Sequence, residues 1–197
     1  TEFMNNNNNV VNTLTKNPSD YLEKYLEYIE DEDILEDYEK AKTFCEAQNG
    51  TLIYASNFSI GVNLFFEINK QVAALMEPYE SYDVTMTETH HTEKKDAPSG
   101  TAISLAEQIL AQIGRKKNWV NEPSNESSNE ASNLIIRSER IDPAPGTHTI
   151  SYDSAIDSIE ITHTAHTRKG FASGALLAAE FAKQKIGIFT MKDVLGL

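Results

Sequence analysis

The chain has 197 residues, a mass of 22.0 kDa and 40% apolar residues, which is enough for one ordinary domain with a hydrophobic core. Its mean hydropathy of −0.44, with no apolar run near the roughly twenty residues of a bilayer span, excludes a transmembrane helix. The net charge of −13 argues against nucleic acid or an anionic membrane as the main partner.

The first fifty residues differ in composition from the rest of the chain. They have a larger excess of acidic over basic residues than the rest of the chain, and they include an asparagine tract. They show no secretory signal pattern. We expect residues 1–17 to be disordered and Tyr21–Gln48 to be helical, with an acidic joint at 30–33 and Gly50 as a left-handed cap residue. The single cysteine, Cys45, makes no internal disulfide, which favours a reducing compartment, the cytoplasm.

The rest of the chain alternates between strand and helix patterns. Residues 82–91 alternate cleanly, so that Val84, Met86, Glu88 and His90 share one face of a strand. Residues 121–133 contain almost nothing to bury and predict an exposed loop. The other expected elements are a strand at 51–56, helices at 62–76, 98–113, 170–185 and 191–195, and strands at 134–141, 147–153 and 156–164.

These patterns predict an α+β fold. Its centre is a helix-backed, mixed, mostly antiparallel sheet, and pieces of an α/β nucleotide-binding (Rossmann) domain flank it at both ends. No glycine precedes Gly50, so a glycine-rich dinucleotide-binding turn is absent upstream of that position.

The densest chemistry follows the alternating strand. His90 ends the apolar face, where an imidazole can point into a pocket and move a proton near neutral pH. The start of the next helix, at Gly100 and Thr101, offers unpaired N–H groups and the helix dipole to an anion. Lys94 adds a mobile positive charge. Together they suit a carboxylate ligand.

Other readings of these residues stay open. Asp96 or Ser99 would serve equally as simple helix caps. His163 is read as a core histidine. A metal site is not expected, because adjacent histidines on a strand point to opposite faces and no third ligand lies at metal spacing. Ser99 also lacks the surroundings of a hydrolase nucleophile.

One long motif resembles a known family. The run from His90 to Ala102 reads His-His-Thr-Glu-Lys-Lys-Asp-Ala-Pro-Ser-Gly-Thr-Ala. It closely resembles the signature His-His-x-x-Lys-x-Asp-Ala-Pro-Ser-Gly-Thr-Ala of 4-hydroxy-tetrahydrodipicolinate reductases, enzymes of lysine and diaminopimelate biosynthesis. Shorter segments around 55–63, 140–148, 160–163, 171–175 and 191–195 are similar too, so the resemblance covers residues from about 36 to 197.

The resemblance implies hydride transfer from NADH or NADPH to a cyclic dicarboxylate in a homotetramer. By position, His90 would be the proton donor and acceptor and Lys94 the second proton donor. The substrate would be held by His91, Gly100 and Thr101.

The resemblance also implies a place for the cofactor. Four consecutive residues would touch the nicotinamide end: Ala55, Ser56, Asn57 and Phe58. No metal is implied.

The family's N-terminal Rossmann domain is the part without a counterpart here. We therefore expect an atypical segment at 1–35, a nucleotide-domain remnant at 36–60, a substrate-binding and oligomerisation domain at 61–169, and a returning helix at 170–197. Two functions follow. The chain is either a reductase of the lysine pathway, or a fragment, truncated product or degenerate paralogue that keeps the dicarboxylate pocket and assembly surface without catalysis.

Overall fold

The computed structural model describes residues 34–122 and 131–197. They form two compact units, one ending at Ile60 and resuming at Lys169–Leu197, the other spanning Gly61–Arg168. The expectations for residues 1–17, the helix before Ile34 and the acidic joint lie outside the described residues. No helix within these ranges is long and apolar enough to cross a membrane.

The elements of the described residues follow one another as helices and strands of ordinary length. In chain order they are α1 (Ile34–Ala47), β1 (Thr51–Tyr54), α2 (Ile60–Met76), β2 (Asp83–His90), α3 (Gly100–Gln112), β3 (Asn118–Glu122), β4 (Asn133–Arg140), β5 (Thr147–Asp153), β6 (Ser158–Thr164), α4 (Lys169–Ala182), β7 (Gly187–Thr190) and α5 (Met191–Leu195).

The Gly61–Arg168 unit is built on a sheet of order β3-β4-β2-β5-β6. Strands β3, β4 and β2 run parallel, while β2, β5 and β6 are antiparallel, so the predicted mixed sheet is confirmed. The predicted alternation of β2 is confirmed as well, because every second residue from Val84 to His90 is buried. This face packs with α2 and α3 in one core that includes Phe65, Ile109 and Tyr152.

Three local predictions for this unit need correction. Residues 121–122 are not loop: they complete β3, which pairs with β4, and Asn133 already belongs to β4. Strand β6 begins at Ser158 rather than at 156, and Ile156 is 92% exposed. His163 is half-buried beside Phe65 rather than a core residue, because β6 is the edge strand and is covered on fewer sides.

The other unit contains the parallel pair β1–β7, in which Thr51 lies opposite Gly187. Helix α4 precedes β7 and packs closely on the loop after β1: a Cβ at Gly174 would lie 1.8 Å from the Phe58 carbonyl oxygen. Only glycine fits there. This parallel strand pair with its helices is the α/β part of the predicted fold.

The end of α1 differs from the prediction. Asn49, not Gly50, takes the left-handed conformation, with φ of 48°. Asparagine tolerates this region better than other residues that have a Cβ. Gly50 is needed for space instead, because a Cβ there would lie 3.3 Å from the carbonyl oxygen and the sulfur of Cys45.

Candidate functional site

A buried carboxylate, Glu88, lies at the centre of the site. Its side chain is fully buried, and in the β2–β5 register it lies directly opposite His148. Oε1 accepts a 2.7 Å hydrogen bond from the Ser138 hydroxyl on β4. Oε2 accepts one of 3.0 Å from the backbone N–H of Ser99, and the same N–H lies 3.2 Å from Oε1.

These neighbours keep Glu88 ionised. Burial alone would raise its pKa, but His90 beside it and the hydrogen bonds from Ser99 and Ser138 outweigh burial and lower the pKa to about 2. Arg140 adds a positive charge, with Nη2 3.7 Å from Oε1. The site thus holds a fixed negative charge without exposing it to solvent.

His148 is the second buried titratable group. Its Nε2 lies 3.2 Å from the Ser99 hydroxyl and 3.8 Å from Glu88 Oε2. Burial, with a smaller contribution from the neighbouring His90, lowers its pKa to about 3, despite the opposing effect of Glu88. His148 is therefore a neutral imidazole at physiological pH.

His90 stands against both of these groups. Its ring centroid lies 5.2 Å from that of His148, edge to face, and its Nε2 lies 3.6 Å from Glu88 Oε2. That nitrogen is buried and has no hydrogen-bond partner in the structure. Gly146 makes room for the ring, because a Cβ at this position would lie 3.0 Å from His90 Cε1. An imidazole in this position can exchange a proton with a ligand.

The loop between β2 and α3 is held by Arg140. Its guanidinium donates to the carbonyl oxygens of Lys94 at 3.1 Å and Asp96 at 2.5 Å. Lys94 Nζ pairs with Asp96 Oδ1 at 2.6 Å, and the lysine is largely buried. Asp142 anchors the start of the loop by accepting two hydrogen bonds from Thr92, which lower the pKa of this carboxyl.

Helix α3 begins at the end of this loop. Ser99 is its N-cap, and its hydroxyl accepts a 3.2 Å hydrogen bond from the Ala102 N–H. Gly100 is exposed, and nothing lies within 4 Å of a Cβ built on it, so a ligand can approach the backbone there. Thr101 is buried. The helix N-terminus offers N–H groups and a positive partial charge.

The structure gathers part of the predicted set into one neighbourhood. His90 and the start of α3 meet through Glu88, His148 and Ser99. Lys94 is near enough to influence the charge of His148 electrostatically. His91 is half-buried and acts in the same way on the exposed Asp142.

The sequence did not indicate four residues of this neighbourhood as site residues: Glu88, Ser138, Arg140 and His148. Glu88 was recognisable only as a member of the His90 face. The other three lie about fifty residues or more further along the chain, and only the register between the strands places them beside Glu88 and His90.

The residues predicted to touch a cofactor lie in the other unit. Ala55–Phe58 follow the carboxyl end of β1, where ligands of parallel sheets bind. Asn57 uses its Oδ1 to accept from the Ser59 N–H at 2.8 Å. Ser56 is exposed. The described residues contain no glycine-rich turn of the kind that cradles a pyrophosphate.

Fold and site together define an α+β domain with a buried imidazole, a lysine and an exposed glycine at a helix start, an arrangement suited to a small anionic ligand. A family model described as dihydrodipicolinate reductase, C-terminus, matches residues 61–195. The chain belongs to this family, which confirms the resemblance first seen in the 90–102 motif.

Curated relatives agree with the family model. The 4-hydroxy-tetrahydrodipicolinate reductase of Christiangramia forsetii is 52% identical over 162 residues, covering 82% of this chain and 66% of the relative. That of Methanocorpusculum labreanum is 38% identical over 152 residues, covering 76% and 58%. That of Neisseria meningitidis serogroup B is 36% identical over 165 residues, covering 82% and 61%. The chain therefore spans less than two thirds of the length of these relatives.

A solved structure supports the fold. The dipicolinate-bound dihydrodipicolinate reductase from Paenisporosarcina sp. TG-14 superimposes with a TM-score of 0.54 at 24% identity. The similarity covers 79% of this chain and 58% of that one.

Proposed function

We propose that this chain provides the substrate-binding and proton-transferring part of a 4-hydroxy-tetrahydrodipicolinate reductase. The reaction reduces 4-hydroxy-tetrahydrodipicolinate to tetrahydrodipicolinate in lysine and diaminopimelate biosynthesis, with NADH or NADPH supplying the hydride and the 4-hydroxyl group leaving as water after it takes up a proton. We place it in the cytoplasm, where the buried Cys45 stays reduced.

The residues divide the work as follows. His90 transfers the proton, and its buried Nε2 without a partner is free to meet a ligand atom. Lys94 supplies a second proton and neutralises a substrate carboxylate. The N–H groups at Gly100 and Thr101 bind a carboxylate at the start of α3, and His91 completes the substrate contacts.

One observation carries this proposal. The proton donor and the anion-binding helix start belong to one local segment, and Glu88 ties them together by accepting from Ser99 beneath His90. The residues that we assign to the dicarboxylate all belong to the Gly61–Arg168 unit.

The chain should bind pyridine-2,6-dicarboxylate, a planar analogue of the cyclic substrate, in the absence of any cofactor. Replacing Lys94 by alanine should weaken binding by about ten- to a hundredfold, because a charge-assisted hydrogen bond contributes about 1.5–3 kcal/mol. Isothermal titration calorimetry on metal-free protein measures both affinities.

The control is Lys117→Ala, which removes an exposed lysine that lies outside the proposed site and should leave the affinity unchanged. If folded parent protein gave no heat at millimolar ligand, the proposed site would be wrong.

A second function would use the same residues. A module that binds the dicarboxylate and assembles, without reducing it, fits the same site. Titration with NADH and with NADPH, followed by nucleotide fluorescence, separates the two. Binding of either cofactor supports a reductase, and dicarboxylate binding without it supports the module.

We also propose a homotetramer assembled through the sheet face opposite the helices. Three strands carry hydroxyl side chains there in register: Thr87, Thr149 and Thr162 lie side by side, and the last two hydroxyls are 3.0 Å apart. A flat face of small β-branched residues suits sheet-to-sheet contact.

Light scattering during size exclusion should therefore give a mass about four times 22.0 kDa. Thr87→Lys combined with Thr149→Lys should lower it to the monomer mass, because each lysine would bury an unpaired charge. Glu107→Lys with Gln112→Lys, on exposed positions of α3, is the matched control and should leave the assembly intact. A parent mass near 22.0 kDa would rule the interface out.

A further inference from the structure

Three metal-ligating side chains converge at the end of the β2–β5 ladder. Glu88 and His148 are direct partners in the antiparallel register, and His90 lies two residues beyond Glu88 on the same face. One ligand atom from each side chain lies within 4.8 Å of the others. The backbone of a sheet fixes these positions more firmly than a loop would.

Two of the three distances are close to those around a small divalent ion. Glu88 Oε2 lies 3.6 Å from His90 Nε2 and 3.8 Å from His148 Nε2. Ligands at about 2.0–2.2 Å around a tetrahedral zinc lie roughly 3.4 Å apart, so shifts of a few tenths of an ångström bring these two pairs to bonding geometry. The third pair, between the two imidazoles, lies within 4.8 Å and closes by adjustment of the histidine side chains. Two imidazoles with one carboxylate are a known zinc donor set that leaves a position open.

A second, independent observation points to a ligand. His90 Nε2 is buried, the side chain is 10% exposed, and the nitrogen has no hydrogen-bond partner. Buried polar atoms are almost always paired, so this unpaired nitrogen beside a carboxylate and a second imidazole marks a position that a bound ion would satisfy. A metal ion between the three groups would satisfy it.

The groups around Glu88 leave its oxygen Oε2 accessible to an ion from the side of the two imidazoles. Ser138 and Arg140 contact Oε1, whereas the two imidazoles face Oε2, which also accepts the hydrogen bond from the Ser99 backbone N–H. An ion at Oε2 therefore keeps the Ser138 hydrogen bond and shares this oxygen with the Ser99 N–H. It displaces the contact between the Ser99 hydroxyl and His148.

We propose that Glu88, His90 and His148 bind one divalent transition-metal ion of the zinc class, with the remaining coordination positions taken by water. Nitrogen donors select such ions over magnesium and calcium. The ion is not part of the proposed reaction. It occupies the lone pair through which His90 would transfer a proton, so the metal would inhibit the reductase; this consequence rests on the proposed function.

Cobalt(II) tests the site directly, because its visible absorption is much stronger in four- or five-coordinate sites than in octahedral ones. The full chain, freed of metals with a chelator and kept free of dicarboxylates, is titrated with cobalt. We expect one equivalent to give the strong spectrum and one equivalent of zinc to abolish it. Weak octahedral absorption alone, as exposed carboxylates would give, overturns the proposal.

Variants assign the ligands. His90→Gln and His148→Gln should each abolish the strong spectrum, with circular dichroism confirming the fold; His90 lies at the strand end and is the safer substitution. His91→Gln, the neighbour on the opposite face, and Cys45→Ser should keep it. Persistence of the spectrum in folded His90→Gln protein would overturn the assignment.

Inhibition is measured separately from binding. In an active reductase containing residues 61–168, zinc should abolish turnover and a chelator should restore it. Cobalt binding without inhibition would leave the metal site standing and would contradict the proton-transfer role of His90 instead.

Discussion

A hybrid reductase in which residues 61–168 replace the matching segment of the Christiangramia forsetii relative should lose about 10²–10⁴-fold in kcat when His90 becomes glutamine. The 52% identity of the two chains makes this exchange feasible. Glutamine keeps a polar side chain beside Glu88 but cannot transfer a proton, so the chemical step suffers while substrate contacts remain. Steady-state kinetics with 4-hydroxy-tetrahydrodipicolinate measures kcat and KM separately.

The binding of pyridine-2,6-dicarboxylate serves as the control for this variant. It should stay within severalfold of the parent, because the proposed function assigns the carboxylates to Lys94 and the start of α3. Lys94→Ala should instead lose affinity as well as kcat. A loss below tenfold in kcat for folded His90→Gln protein would contradict the assignment of His90.

Acid should destabilise the chain before its carboxylates are protonated, and His148 should be the main cause. In the unfolded chain this histidine takes up a proton near pH 6.5, whereas in the folded chain it stays neutral down to about pH 3. Protons therefore favour the unfolded state between these values, and stability falls as the pH falls. The slope from one such group is at most about 1.4 kcal/mol per pH unit.

Glu88 extends the loss to lower pH. Its pKa is about 2 in the folded chain against an ordinary 4.5, so its stabilising contribution is complete above pH 4.5 and disappears as the pH falls toward 2. The difference corresponds to about 3 kcal/mol.

Urea unfolding at fixed protein concentration, at intervals from pH 7 to pH 5, measures the histidine effect before Glu88 contributes. His148→Gln should flatten the slope, and His166→Gln, at an exposed position, should not. His163→Gln should remove a smaller part, since burial also lowers the pKa of that half-buried ring. Equal slopes in parent and His148→Gln protein would show that His148 does not drive acid unfolding.

Local patterns predicted what depends on neighbours in sequence. The period of two along β2 was enough to place His90 on the buried face, and the Pro-Ser-Gly-Thr run was enough to predict the start of α3. The cluster around Glu88 was not predictable, because it depends on the register between β2, β4 and β5. Apart from His90, the residues that contact Glu88 are eleven to sixty positions away, and one-residue slips would separate them.

Short or polar strands were the other elements that the sequence patterns did not predict. Strand β3 carries only Trp119 and Val120 as apolar residues, and it forms because β4 offers a parallel edge. Strand β7 has four residues next to a helix and depends on β1 in the same way. In both cases pairing with a neighbouring strand, rather than the intrinsic strand propensity of the residues, determines that a strand forms.

The pairing of β1 with β7 sets an order on how the chain folds as it is synthesised. Every strand of the sheet from β2 to β6 has left the ribosome once Thr164 has emerged, so this unit can fold early. Strand β1 is synthesised before β2 but has to wait for residues 187–190, on the order of ten seconds at about 5–20 residues per second. During that interval β1 lacks its β7 partner, and the loop after β1 lacks the cover of α4.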